Sequence, residues 1–186
     1  MDILLYLTIF ISLVLVLIIR AYNSLIKLRN DVKKTFASVD VQLKRKIDLI
    51  PNLVKMVKGY IKHEKELLTS LTEARTSIMK ASAQQDLSAM AKGENSLKET
   101  LKSILAVSEN YPDLKANQNF LELQEALEET EDQIAAARRI YNESVNVYNT
   151  KTEVFPTVII ASLFRFSKKD FFELSERGKE NLSIDI

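Results

Sequence analysis

The chain opens on an unbroken apolar run and then changes to a regular recurrence of apolar positions among charged ones. Residues 3–19 read ILLYLTIFISLVLVLII, 17 residues without a charge, bracketed by Asp2 and Arg20. At about 1.5 Å per residue a helix of that length reaches ~26 Å, the short end of what a bilayer core of about 30 Å requires. Met1 and Ala21 extend it. From Ala21 onward the pattern is helical. Leu25, Val32, Phe36, Val39, Leu43, Ile47 and Ile50 recur mostly three and four apart, the stripe of a helix packed against others. Val54, Val57, Ile61, Leu68, Leu71 and Ile78 make a second stripe. Between the two, Pro51 removes a helical hydrogen bond and crowds the preceding turn, so the sequence predicts a tight break rather than a gentle kink, with Asp48 capping the new helix. Residues 81–86 (ASAQQD) predict a loop, 87–107 a third helix and Asn110–Asp113 a turn. A fourth helix is expected over 117–152, with Phe120, Leu123, Leu127, Ile134, Ile140, Tyr141, Val145 and Tyr148 as its core face.

These elements predict an all-α fold: an N-terminal transmembrane helix followed by an antiparallel four-helix bundle. The expected division is an anchor over 1–20, the bundle over 21–153 and a Phe-rich tail over 154–186. The anchor residues are Ile3, Leu4, Leu5, Phe10, Leu13, Leu15, Leu17 and Ile19. A cleaved signal peptide would carry a basic start, a shorter apolar core and small residues at the cleavage site. Met1-Asp2 has no base and Ile18-Ile19-Arg20 has no small-residue pair, so the segment is expected to remain as an anchor. Arg20, Lys27, Arg29, Lys33 and Lys34 all follow it, which places the bundle in the cytoplasm and the N-terminus outside the cell membrane.

Antiparallel packing brings the first and fourth helices together beside the anchor. Asn23 and Asn30 are seven apart on one, Asn142 and Asn149 seven apart on the other, each of the second pair preceded by tyrosine. The expected pairs are Asn23 with Asn149 and Asn30 with Asn142, buried amides that fix register, against the plainer reading that some of them face water. The tail, VFPTVIIASLFRFSKKDFFEL over 154–174, carries Phe155, Phe164, Phe166, Phe171 and Phe172 around Lys168 and Lys169. Either the rings cap the open end of the bundle, or the segment lies in the lipid interface with its lysines outward.

Composition narrows the chemistry. Three glycines and three prolines are too few for a sheet-rich fold or a long flexible linker. There is no cysteine, which excludes disulfides, thiolate nucleophiles and Cys-ligated zinc. The net charge of +1 hides an asymmetry: residues 20–80 hold 14 Lys/Arg against 6 Asp/Glu, and residues 81–154 hold 7 against 13. The two halves attract each other when packed together, and a nucleic-acid binder would more often be basic throughout. The single histidine, His63, has no glutamate three residues before it, which excludes a di-iron bundle site, and Leu67 breaks the zinc-protease pattern HExxH. Gly59, Gly93 and Gly178 are isolated, so no phosphate loop is present. The acidic run Glu122, Glu125, Glu128, Glu129, Glu131 and Asp132 spreads around a helix and reads as a solvated face, not a calcium loop. No catalytic residue, cofactor, metal or small-molecule substrate is expected. Lys44, Arg45 and Lys46 stand out, about 35 Å beyond Arg20 on a straight helix. They are a candidate docking patch for an acidic protein partner, against the plainer reading of solubility and pairing with the acidic helices.

Two stretches carry a resemblance. YNSLIKLRNDVKKTFASVDVQLKRKIDLIPNLVKMVKGYIKHE covers 22–64, and ENYPDLKANQNFLELQEALEETEDQIAAARRIYNESVNVYN covers 109–149, followed by Phe155-Pro156. With the N-terminal anchor they resemble the LemA family of bacterial membrane proteins over nearly the whole chain, and VDVQLKRKIDLIPNLVKMVKGY is the most specific string. Phe36 departs from the tryptophan expected there. The resemblance implies the same anchored four-helix bundle and no enzymatic activity, and it supplies no catalytic residues. The expected function is a non-enzymatic scaffold or interaction module at the membrane, with an unknown protein partner. The alternative is a membrane-shaping or lipid-organising protein acting through the Phe-rich tail.

Overall fold

A computed structural model describes residues 2–60 and 65–172. Met1, Ile61, His63 and the tail from residue 173, with Gly178, lie outside the described residues. Among those described, every regular element is a helix: α1 Asp2–Tyr60, α2 Lys65–Gln84, α3 Leu87–Ser108, α4 Pro112–Lys115, α5 Gln118–Glu153 and α6 Thr157–Leu163. They belong to two compact units. The first holds residues up to 37 together with 140–171; the second holds 38–139 and Phe172.

The core of the second unit draws on five helices. Ile47, Ile50, Leu53 and Val57 of α1 meet Leu68, Leu71, Ala74 and Ile78 of α2, Leu97 and Ile104 of α3, Leu114 of α4, and Phe120 and Leu123 of α5. The predicted break at Pro51 is absent. α1 continues through the proline to Tyr60. The residue four before Pro51 is Ile47, whose carbonyl loses its helical donor, and Arg75 of α2 donates its Nε–H to that oxygen at 3.2 Å. A tertiary contact therefore supplies what the local sequence removes.

The predicted loop at 81–86 is shorter than expected, because α2 continues to Gln84 and Ala81 is buried. The helix ends in a Schellman turn. Gln85 takes a left-handed conformation with φ 53°, Asp86 N–H donates to Ala81 at 3.0 Å, and Gln85 N–H donates to Ser82 at 3.0 Å. Asp86 then caps α3 by accepting from Ala89 N–H at 2.9 Å. The polar residues there terminate one helix and start the next. Asn117 does the same for α5, its Oδ1 accepting from Asn119 N–H at 3.0 Å and Phe120 N–H at 3.3 Å. In this unit α1 and α5 run antiparallel: Arg45 faces Glu129, and Tyr60 Oη accepts from Asn117 Nδ2 at 3.1 Å.

In the first unit the α1 stripe is buried at Leu25 and Val32, and Tyr141, Val145 and Tyr148 of α5 are buried with it. Phe36 is half-buried and meets the Tyr141 ring edge-on at 6.0 Å. Thr35 and Ser144 share a hydroxyl hydrogen bond of 2.7 Å. Ile140, expected in the core, is exposed. It lies one position before Tyr141, and the ring takes the inward place.

Candidate functional site

The first unit presents the strongest unusual surface. Ile3, Leu4, Leu5, Phe10, Leu13, Leu15, Leu17 and Ile19 are all exposed, and no part of the most apolar stretch of α1 is buried by protein. The aliphatic hydroxyls of that stretch, Thr8 and Ser12, do not need water. Thr8 Oγ1 donates to Leu5 O and Ser12 Oγ donates to Thr8 O, each at 2.8 Å. A helix with its backbone bonded internally and its Thr and Ser hydroxyls turned back on it suits hydrocarbon. By length and composition α1 is able to cross a membrane.

At the end of this stretch the chain folds back on itself. α5 ends at Glu153, and α6 buries Thr157, Ile160 and Ala161. Ile160 and Ala161 cluster with Leu25, and Ile18, Ala21, Tyr22 and Phe166 pack around them. The Tyr22 ring lies 4.8 Å from that of Phe164 and 5.7 Å from that of Phe166, and the Arg29 guanidinium sits 5.4 Å over Phe166. α6 closes in a second Schellman turn, with Arg165 at φ 55°, Phe166 N–H donating to Ala161 at 2.8 Å and Arg165 N–H donating to Ser162 at 3.2 Å.

The chain after α6 has no ladder of its own, and α5 supplies its hydrogen bonds. Tyr148 Oη donates to Ser167 O at 3.0 Å, and Tyr141 Oη donates to Asp170 O at 2.9 Å. Asn149 takes both sides of Lys169: Nδ2 donates to the carbonyl at 2.9 Å, and Oδ1 accepts from the N–H at 2.8 Å. Burial pushes both phenols above their ordinary value, with the Asp170 charge adding to the shift at Tyr141 and the Arg29 charge opposing it at Tyr148. The phenols therefore remain donors.

This clamp corrects the expected Asn23–Asn149 pair. Asn149 is buried, but its partner is the tail backbone and not Asn23; Asn23 and Asn30 are exposed, and Asn142 is half-buried. Thr35–Ser144 is a polar contact that ties α1 to α5 in this unit. The repeated Tyr-Asn step at 141–142 and 148–149 was the visible signal of the clamp. What it recognises is an irregular strand, which has no periodicity to read.

The second unit holds a buried charge network. Of the three basic residues at 44–46, Lys44 is exposed, Arg45 is exposed and faces Glu129 at 3.4 Å, and Lys46 is only 1% exposed and bonded to Glu131. Lys46 is thereby removed from the expected patch, since it falls on the inward stripe three residues after Leu43 and four before Ile50. Glu131 also binds Lys98 at 2.8 Å. Burial alone would raise the Glu131 carboxyl, but hydrogen bonds and charge from Lys46 and Lys98 hold it below the ordinary value. The Glu131 hydrogen bond in turn raises Lys98. Glu94, 5% exposed at its side chain, binds Arg138 at 2.8 Å, and the Arg138 guanidinium lies 4.4 Å over the buried Phe172 ring. Burial raises the Glu94 carboxyl, against the opposing charges of Arg138 and Lys46. Glu94 lies four residues after Met90 and three before Leu97, so its place on the apolar face was legible although its partner was not.

The rest of the acidic run faces outward: Glu122, Glu125, Glu128, Glu129 and Asp132 are exposed. Among the described residues no three Asp, Glu or His side chains converge on a metal position. An open groove is lined by Asn52, Lys55, Met56, Asn119, Glu122 and Leu123.

The model of the LemA family matches residues 35–186. The chain is 22% identical over 180 residues to "Magnetosome protein MamQ 2" of Paramagnetospirillum magneticum, covering 84% of this chain and 66% of that protein. It is 23% identical over 154 residues to "Protein LemA" of Metamycoplasma hominis, covering 83% of this chain and 69% of that one. "Magnetosome protein MamQ" of Magnetospirillum gryphiswaldense is 21% identical over 180 residues, with the same 84% and 66%. The chain thus spans just under two thirds of the length of the magnetosome relatives it matches.

Proposed function

Because the chain belongs to the LemA family, we propose that it is a single-pass, membrane-anchored helical protein that acts as a non-enzymatic interaction scaffold. The observation that carries this reading is the apolar stretch of α1, none of it buried and nearly all of it exposed, with the Thr8 and Ser12 hydroxyls bonded internally. An apolar surface of that extent is a liability in water and an anchor in lipid. The charge step at Arg20, followed by Lys27, Arg29, Lys33 and Lys34, supports a cytoplasmic helical domain with the N-terminus outside. The shared core of the second unit and its antiparallel α1–α5 contacts support a four-helix bundle as the working surface. The partner is a protein, and Lys44 with Arg45 is the exposed basic pair offered to it.

Two measurements on the full chain test this. The protein has no cysteine, so single-cysteine variants report topology. An impermeant maleimide is expected to label Asp2→Cys on intact cells and Glu122→Cys only after permeabilisation; the reverse pattern overturns the orientation. Affinity purification from detergent with quantitative mass spectrometry tests the scaffold. A stoichiometric protein partner recovered with the wild type, and lost from Lys44→Glu/Arg45→Glu, supports it. An unchanged partner removes the basic pair from the interface, and recovery of lipid with no protein partner overturns the scaffold.

A further inference from the structure

We infer that α6 is a second membrane contact: a short interfacial helix that lies in the headgroup and acyl boundary beside the end of the α1 span. The inference rests on the reading that α1 spans a membrane. Residues 154–164 read VFPTVIIASLF, 11 residues without a charge between Glu153 and Arg165. A water-soluble fold would bury most of such a run. Here Thr157, Ile160 and Ala161 turn inward, while Val154, Phe155, Val158, Ile159, Leu163 and Phe164 stay exposed, Phe155 at 80% and Leu163 at 70%.

The position of that face identifies what covers it. The inner side of α6 packs on Ile18, Ala21, Tyr22 and Leu25 of α1. Ile18 belongs to the apolar run itself, and the next three begin the turns that follow it. The exposed face of α6 is therefore continuous with the exposed end of the span, and a bilayer that covers one reaches the other. The lengths agree. A 17-residue span of ~26 Å falls a few Å short of a core of about 30 Å, and an apolar face at the level of residues 18–25 extends the footprint where the span ends. The polar boundary agrees as well: Arg20 and Arg165 are exposed there, the Tyr22 ring sits between α1 and the Phe164 and Phe166 rings, and Lys168 and Lys169 follow. The seat is held by the fold and not by the lipid alone. The Schellman turn at Arg165 and the clamp of Tyr141, Tyr148 and Asn149 return the chain along α5 and leave the outer face of α6 clear.

The chain has no tryptophan, so single-tryptophan variants of the full protein report depth without background. Ile11→Trp, Ile159→Trp and Val41→Trp are placed at exposed positions in the span, on α6 and in the second unit. Each variant is reconstituted into phosphatidylcholine–phosphatidylglycerol vesicles carrying a nitroxide either near the headgroup or at the chain end. Ile159→Trp is expected to emit blue-shifted light and to lose most of its intensity to the headgroup-proximal nitroxide and little to the chain-end one. Ile11→Trp is expected to show the opposite preference, and Val41→Trp to be quenched by neither. If Ile11→Trp is quenched while Ile159→Trp emits as in water, the inference fails and the anchor stands. A blue-shifted Ile159→Trp that neither nitroxide quenches means that protein covers the face, and quenching from the chain end alone means deep insertion; both overturn the interfacial seat. If Ile11→Trp is unquenched, the anchor reading itself falls.

Discussion

Arg75 Nε lies 3.2 Å from the carbonyl oxygen of Ile47, the acceptor that Pro51 leaves without its helical donor. A buried carbonyl without a partner costs about 1–3 kcal/mol, so this contact offsets the defect that the proline introduces. Arg75→Met is expected to lower stability by an amount in that range. In a Pro51→Ala background the restored N–H reaches Ile47, and the same Arg75→Met change is expected to cost about 1 kcal/mol less. Denaturant unfolding of the four proteins in the cycle measures the coupling. Equal costs in both backgrounds would mean that Arg75 does not serve this carbonyl.

The two described glycines of the helices differ in what surrounds them. A Cβ built on Gly93 would come 2.8 Å from Ile78 Cγ1 and 3.4 Å from the Ile78 backbone nitrogen, with Ile78 fully buried. α2 and α3 approach closely there, and the neighbour has no room to yield. Gly93→Ala is expected to destabilise by about 1–3 kcal/mol despite the gain in helix propensity. Gly59 has nothing within 4 Å of the same atom, and Gly59→Ala is expected to stabilise by about 0.5–1 kcal/mol. Thermal melts of the two variants should move in opposite directions.

The Lys46–Glu131 pair is asymmetric, and substitution should show it. Lys46 is 1% exposed, whereas Glu131 is about a third exposed and also holds Lys98. Glu131→Gln strands a buried ammonium and is expected to cost about 3 kcal/mol or more. Lys46→Met leaves Glu131 with Lys98 and water, and is expected to cost well under half of that. The pH dependence has a definite sign. The folded Glu131 carboxyl is held below its ordinary 4.5, so the folded state binds fewer protons than the unfolded one in that window. Its stabilisation is present above the unfolded value and is lost as pH falls through the folded one. Glu94 acts in the opposite sense: its raised carboxyl is neutral and unpenalised in acid, and loses stability as pH rises through its folded value. Unfolding of Glu131→Gln across this range should approach the wild type at the acid end, and Glu94→Gln should flatten the opposing slope.

The apolar stripes of α1 and α5 could be read along the chain because each residue reports its own face: Leu25, Val39, Leu43, Ile47, Val145 and Tyr148 are all buried as their spacing required. The continuity of α1 through Pro51 could not be read there, since its remedy comes from Arg75, 28 residues beyond Ile47 in sequence. The polar positions followed the same division. Lys46 and Glu94 sit on apolar faces by spacing alone, but which acid or base meets them depends on how helices distant in sequence are packed. Asn149 stands out along the chain as an odd polar residue, but its partner is not legible there: an amide at a heptad position suggests another amide, whereas a main-chain segment satisfies it as completely.

The clamp on the tail predicts which substitutions release it. Asn149 is buried and bonds both the N–H and the carbonyl of Lys169, so Asn149→Ala removes two hydrogen bonds and leaves main-chain groups to find water. The expected cost is about 1–3 kcal/mol, concentrated in opening of the segment rather than in global unfolding. Arg165, Lys168 and Lys169 are exposed in that segment, which makes trypsin a direct reporter. Cleavage there should accelerate in Asn149→Ala, and less in Tyr148→Phe, which loses a single bond to Ser167. Asn149→Asp separates the two halves of the contact: its carboxylate still accepts from the Lys169 N–H but faces the Lys169 carbonyl without a donor. Its cleavage rate should exceed that of the wild type. If instead the alanine and aspartate variants were cut no faster than the wild type, the side chain at 149 would not be holding the tail, and the return of α6 to Leu25 would rest on the apolar contacts of Ile160 and Ala161 alone.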